Sequence, residues 1–255
     1  MPRSRRGGWQ SGGMCGRYAS TRAPQDLAGL FGARWNPEET IPPSWNVAPT
    51  DPVWAVWERP DPDTGELERR LRPVRWGLVP SWAKDPGVGS RMINARVETV
   101  HEKPAYRKAF AARRCLLPAD GFYEWESVAA TADAKAYKQP YFIRPEDASP
   151  MAMAGLYEFW RDPAVADKDD PDAWLTTCTI ITTEATDAAG RVHPRMPLAL
   201  DPADYEAWLD PAHQDVHALR ALLHTPGGGR LEVRSVSTAV NSVRNNGPRL
   251  LDAPA

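Results

Sequence analysis

Val53-Trp54-Ala55-Val56-Trp57-Glu58, then Asp61-Pro62-Asp63-Thr64-Gly65, then Leu67-Glu68-Arg69-Arg70-Leu71-Arg72-Pro73-Val74 is the stretch on which the architecture turns. The first and third runs carry the β-branched and aromatic residues that suit a pleated strand. The middle run carries the proline, aspartate and glycine of a turn. Together they predict a hairpin. Residues 141–144, 151–157, 174–181 and 231–235 read as further strands. Residues 24–31 predict a short helix, with proline first and Gly32 after its end. A second helix is predicted over residues 104–114, with Arg113 and Arg114 at the end where cations suit the dipole. Two more are predicted over 201–209 and 212–223. Residues 127–139 read as a polar connection. Long helices do not alternate with the strands, which argues against a doubly wound parallel sheet. The expectation is one α+β domain with a curved, mainly antiparallel sheet and short peripheral helices. Residues 1–13 read as a disordered leader and 252–255 as a tail.

Composition narrows the class. The chain has 255 residues, 42% hydrophobic and 25% charged, which is ordinary for a globular domain. It contains no uninterrupted apolar run of membrane-spanning length, and its basic, glycine-rich start lacks the apolar core of a secretory signal. No membrane association and a cytoplasmic location are expected. Three widely spaced cysteines, Cys15, Cys115 and Cys178, suggest neither a disulfide framework nor a metal site. Cys115 and Cys178 fall in apolar strand patterns and read as inert core. No phosphate loop or dinucleotide fingerprint is present, so no cofactor is expected. The net charge of −2 does not exclude a local basic face, and residues 91–114 carry seven Lys and Arg against Glu98 and Glu102.

Polar clusters punctuate the strands. Met14-Cys15-Gly16-Arg17-Tyr18 is the most chemically informative. A cysteine directly after methionine becomes N-terminal if translation starts at Met14 and the methionine is trimmed. It then carries an α-amine with a pKa of about 8, far more available than a lysine amine at about 10.4. An amine beside a thiol is suited to trapping an aldehyde: the amine forms a Schiff base, and sulfur closes a thiazolidine ring. The other clusters are Asn46-Val47-Ala48-Pro49, Trp76-Gly77-Leu78-Val79-Pro80-Ser81-Trp82 with Asn94-Ala95-Arg96-Val97-Glu98-Thr99, Pro118-Ala119-Asp120-Gly121-Phe122-Tyr123-Glu124-Trp125, and His193-Pro194-Arg195-Met196-Pro197.

In this order, over residues 14–251, these motifs resemble the SRAP family of abasic-site processing proteins. Val236-Ser237-Thr238-Ala239-Val240-Asn241 is similar to the family's closing motif. The resemblance implies a barrel-like sheet core and a role as sensor and shield of abasic sites in single-stranded DNA, also near single–double-strand junctions. It implies a covalent cross-link between Cys15 and the ring-opened sugar. Cys15, Asn94, Glu124 and His193 are the implied catalytic set. His193 would pass a proton to the ring oxygen. Glu124 would manage the proton of the Cys15 amine, and Asn94 would hydrogen-bond the opened sugar. Arg17 and Arg96 are the implied phosphate ligands, with Arg195 a weaker candidate. Trp82 and Pro49 are the implied apolar surface beside the lesion. No metal and a monomeric protein are expected. In the family the cysteine directly follows the initiator methionine, whereas Met1 here lies thirteen residues before Met14. The reading therefore requires a start at Met14 or removal of the leader, for which autoproteolysis is one route.

Each residue also has a plainer role. Arg96 can pair with Glu98, Glu124 can form a cross-strand ion pair, and Asn94 can serve a turn. Two other functions stay open. One is a self-processing N-terminal-nucleophile peptidase. The other is a non-catalytic single-strand DNA module, which would show no preference for abasic strands.

Overall fold

The hairpin forms and is longer than its sequence signal. Its strands span Pro52–Pro60 and Leu67–Trp76, paired from Pro52↔Arg75 to Pro60↔Leu67. The turn closes through Asp61 N–H to the Glu66 carbonyl at 2.8 Å, and Gly65 takes the left-handed conformation, φ 74°. The computed structural model describes residues 16–61, 64–131, 135–167, 169–186, 189–223 and 230–254.

In chain order the elements are β1 (Tyr18–Ser20), α1 (Pro24–Phe31), β2 (Arg34–Trp35), β3 (Ser44–Val47), β4 (Pro52–Pro60), β5 (Leu67–Trp76), β6 (Asn94–Arg96), α2 (Arg107–Ala112), β7 (Arg114–Ala119), β8 (Gly121–Val128), β9 (Tyr137–Pro145), β10 (Met151–Arg161), β11 (Trp174–Glu184), β12 (Arg195–Pro197), α3 (Tyr205–Leu209), α4 (Val216–Leu222) and β13 (Leu231–Ser235). Strands β4, β5, β11, β10 and β7 close into a barrel. Its neighbours are antiparallel except at the closing seam, where β5 and β11 run parallel at Arg75↔Thr177 and Trp76↔Cys178. Strands β2, β6 and β12 extend it. A separate antiparallel sheet has the order β13-β9-β8-β1-β3.

The barrel wall is buried on both faces, which explains its near-continuous apolar strands. Alternate residues serve two cores. Trp54, Val56, Leu116 and Ala154 pack with Phe110, Trp208 and Leu219 of the helices. Val53, Ala55, Trp57, Leu117, Cys115 and Cys178 pack with Tyr18, Phe122 and Ile143 of the antiparallel sheet. The α+β class, the barrel-like sheet and the short helices are as the sequence suggested.

Several boundaries differ. The helix expected over 104–114 is confined to α2, and Arg114 opens a strand. Its buried guanidinium donates to the carbonyls of Phe110, Ala111, Trp208, Asp210 and His213. Arg114 therefore does serve the carbonyl end of α2, but from the strand that follows. The 201–209 helix begins as a 3-10 turn, Pro202–Asp204, and becomes α3 only at Tyr205. The two ends of the "polar connection" are strand: β8 runs to Val128 and β9 begins at Tyr137. These strand ends are mostly exposed, so they carry no alternating apolar signal.

Candidate functional site

The site begins with β8. Gly121 opens this strand because nothing larger fits: an added Cβ would lie 2.5 Å from Phe142 Cζ and 2.6 Å from the Ile143 carbonyl oxygen. Pairing of Phe122 with Tyr18 and Ile143 then fixes the register. Tyr123 is wholly buried, its hydroxyl donating to the Trp45 carbonyl at 2.7 Å. Glu124 follows on the other face, a carboxylate only 3% exposed.

His193 reaches Glu124 from the barrel side. It lies between a 3-10 turn, Ala189–Arg191, and β12, with its amide donating to the Ala189 carbonyl at 3.2 Å. Its Nδ1 is 3.8 Å from Glu124 Oε1. The same nitrogen is 3.1 Å from the Arg195 N–H and 3.2 Å from the Arg195 carbonyl oxygen. A neutral ring accepts from the N–H, which leaves its proton on Nε2. A protonated ring donates from Nδ1 to a carbonyl or carboxylate oxygen. The backbone of Arg195 thus suits either protonation state.

Arg17 stands just before β1. Its Nη1 donates to Asn46 Oδ1 at 2.7 Å and to the Val240 carbonyl at 3.0 Å, and its guanidinium carbon lies 5.8 Å from the centre of the Trp125 ring. Burial draws its pKa down, and the nearby Asp51 and Tyr123 oppose that shift. Its bonding partners are neutral, so its charge remains for an anion. Gly16 and Arg17 line a cavity of about 530 Å3 together with Glu124 and His193. Trp125, Lys138 and Asn241 complete the wall. The cavity lies where the antiparallel sheet meets the barrel extension, with one proton-carrying group from each.

The sequence-derived set divides. Arg17, Glu124 and His193 come together. Cys15 lies outside the described residues, as does the leader; its neighbour Gly16 is on the cavity wall. Asn94 and Arg96 stand on β6, level with Ile180 and Thr182 of β11, and are not among the described residues that line the cavity. Ala95 between them is buried, and so is the side-chain oxygen of Asn94. Arg96 is exposed, and its charge acts on Glu98 without a direct ion pair between them. Arg195 takes that carboxylate instead, using both guanidinium nitrogens, and also donates to the Thr182 carbonyl at 2.6 Å. Arg195 is therefore a buried structural cation. Burial works against the Glu98 charge, but the Arg195 hydrogen bond, a backbone hydrogen bond and the charges of Arg195 and Arg96 together outweigh it and hold the carboxyl below its ordinary value. Trp82 is 69% exposed, and Pro49 is a half-buried turn residue. Trp76 is core, its indole N–H donating to the Ile93 carbonyl at 3.0 Å. Among the described residues, no His, Cys, Asp and Glu cluster could hold a metal ion.

Three residues of the site lay unassigned in the sequence. Asn46 is buried. It accepts from Arg17 and donates to the Ser242 and Asn245 carbonyls at 3.0 and 2.9 Å, tying the C-terminal segment to the cavity. Asn241 accepts the Trp125 indole N–H at 2.6 Å. Both stand inside quoted motifs, which was the available signal. Lys138 stood in the supposed polar connection and had none.

Comparison with known proteins gives the chain its relatives. The chain is 38% identical over 241 residues to the abasic site processing protein YoqW of Bacillus subtilis, covering 94% of this chain and 100% of that one. It is 30% identical over 276 residues to the abasic site processing protein HMCES of Xenopus tropicalis, covering 94% and 78%. In fold it is similar to a crystal structure of a Bacteroides thetaiotaomicron protein, with a TM-score of 0.74 at 21% identity over 94% of this chain and 99% of that one. The family model for SOS response associated peptidase (SRAP) matches residues 14–243, and the chain belongs to that family.

Proposed function

We propose that this protein senses abasic sites in single-stranded DNA and shields them by covalent capture. The active unit is the 14–251 domain once Met14 and the residues before it are absent or removed, so that it starts at Cys15. The observation that carries the reading is the Glu124–His193 pair, 3.8 Å apart on a cavity whose wall includes Gly16, the covalent neighbour of Cys15. The names of the relatives support the substrate.

The chemistry is redox-neutral. His193 protonates the sugar ring oxygen as the C1–O bond breaks, and the C1 hydroxyl gives up its proton to solvent, which opens the hemiacetal to its aldehyde. Glu124 takes a proton from the Cys15 ammonium, and the freed nitrogen adds to the aldehyde carbon. Loss of one water gives the imine. The Cys15 sulfur then adds to the imine carbon, its proton passes to the nitrogen, and a thiazolidine closes. Such positioned proton transfers contribute about 10²–10⁴-fold each. Arg17 and Arg96 hold phosphates, which carries no sequence information and suits a lesion found in any context. Asn94 hydrogen-bonds the opened sugar, and Trp82 and Pro49 flank the neighbouring base. The same Glu124 and His193, beside Gly16, would cleave the peptide bond before Cys15 if the leader is removed autocatalytically.

The test is a denaturing gel with an abasic single-stranded oligonucleotide. Protein beginning at Cys15 gives a shifted, denaturation-resistant band, and Cys15→Ala does not. A full-strength band from Cys15→Ala would overturn the proposal.

A further inference from the structure

One cation of the cavity has no role in the account above. Lys138 stands on β9 opposite Ser127 of β8. Two residues on, Pro140 faces Trp125 across the same ladder, so alternation puts Lys138 on the Trp125 side of the sheet. Asn241 locks this wall in place. Its Oδ1 accepts from the Trp125 indole at 2.6 Å, while its Nδ2 donates to the Lys138 carbonyl at 3.3 Å. The Lys138 carbonyl is thereby held, and Lys138 is among the residues that line the cavity shared by Glu124 and His193.

Some cations near the cavity are already committed: Arg195 is neutralised by Glu98 and Arg144 by Glu232. Lys138 is exposed and, among the described residues, has no such carboxylate partner. An unpaired ammonium on the wall of a cavity, beside an Arg17 whose partners are neutral, is a ready contact for an anion. A compact ammonium binds phosphate as a point charge, without the directional demands of a guanidinium.

We propose that Lys138 is a phosphate ligand, holding a phosphodiester that flanks the abasic sugar on the antiparallel-sheet side of Glu124 and His193. Arg96, on the barrel side, holds the strand at the other flank. The identity of the anion rests on the single-strand reading above. The two contacts come from different sheets, so a bound strand crosses the seam with its damaged sugar over the Glu124–His193 pair. The Lys138 contact is to backbone and is blind to sequence.

The experiment measures binding by anisotropy across a salt series, with the whole chain from Cys15 onward. The probes are a fluorescein-labelled oligothymidylate and the same strand bearing one abasic site. Lys138→Ala weakens binding to both strands, and the slope of log affinity against log salt becomes shallower by about 0.7, the loss of one single-strand phosphate contact. Lys138→Arg restores the slope. The strand concentration giving half-maximal cross-linking rises in Lys138→Ala, with a much smaller change in the plateau rate. An unchanged slope in Lys138→Ala overturns the proposal, as does a Lys138→Arg variant as defective as the alanine. Wild-type protein that shows the Lys138-dependent slope but forms no covalent bond upholds this contact and sinks the cross-linking reading instead.

Discussion

The barrel wall and the seam beside it use the same residue types to opposite ends. In the barrel, Cys115 and Cys178 are fully buried, and burial pushes both thiols above their ordinary range. Arg114 is buried there too and spends its donors on five backbone carbonyls. At the seam, Arg17 rests on neutral partners, Lys138 has no carboxylate partner among the described residues, and a nearly buried Glu124 faces an imidazole. The contrast teaches that residue type does not mark function in this chain; what marks it is whether a group's capacity is consumed by the fold. The barrel spends the Arg114 donors on its own backbone and seals both thiols in its core. The seam leaves charge and proton-carrying capacity facing a cavity.

That comparison is broken or sharpened by substitution on each side. The largest effects are chemical. Glu124→Gln and His193→Ala each slow cross-linking of an abasic strand by about 10²–10⁴-fold, read as initial rates on denaturing gels, with melting temperature little changed. A large loss of stability in both, with cross-linking intact in the folded fraction, would move these residues to the structural side. Next is Arg114→Met, which leaves five carbonyls short of a donor and lowers unfolding free energy by several kcal/mol, at about 1–3 kcal/mol for each buried carbonyl left unsatisfied, measured by urea denaturation. The folded fraction should still cross-link, since Arg114 is remote in role from the cavity.

A smaller effect separates the thiols. In native protein at neutral pH, iodoacetamide should modify Cys15 and spare Cys115 and Cys178 until denaturant is added, as read by peptide mass spectrometry. Labelling of either barrel cysteine in the native state would contradict its burial. The smallest effect is electrostatic. The folded-state carboxyl of Glu98 sits below its unfolded value, so its contribution is fully present above that unfolded value, about 4.3, and is lost as pH falls through the folded one. Glu98→Gln should therefore flatten the acid limb of a melting-temperature profile. The change should be modest, because the Glu98 side chain is 47% exposed and screened.

The sequence carried the barrel strands well, because a wall buried on both faces writes itself as apolar runs, as in Met151–Arg161. It carried the second sheet poorly. The outer ends of β8 and β9 are polar and exposed, and the register that brings Lys138 to the cavity is set by Gly121 and the Phe122 pairings. The Glu124–His193 contact was legible only through motifs; their separation of 69 positions has no local periodicity to betray it. Arg195 illustrates the converse. It lies two residues from His193, yet its guanidinium is committed to Glu98 and Thr182, a pairing across the fold that no spacing predicts.

The central claim is tested most directly by locating the bond. Protein beginning at Cys15 is reacted with an abasic strand, both polymers are digested, and the peptide carrying the sugar remnant is sequenced by mass spectrometry. The account predicts the remnant on Cys15 alone, its mass increased by the sugar fragment less one water and unaltered by borohydride, as a closed thiazolidine requires. A remnant on a lysine, or on Cys15 of a chain still bearing the residues before it, would contradict the account.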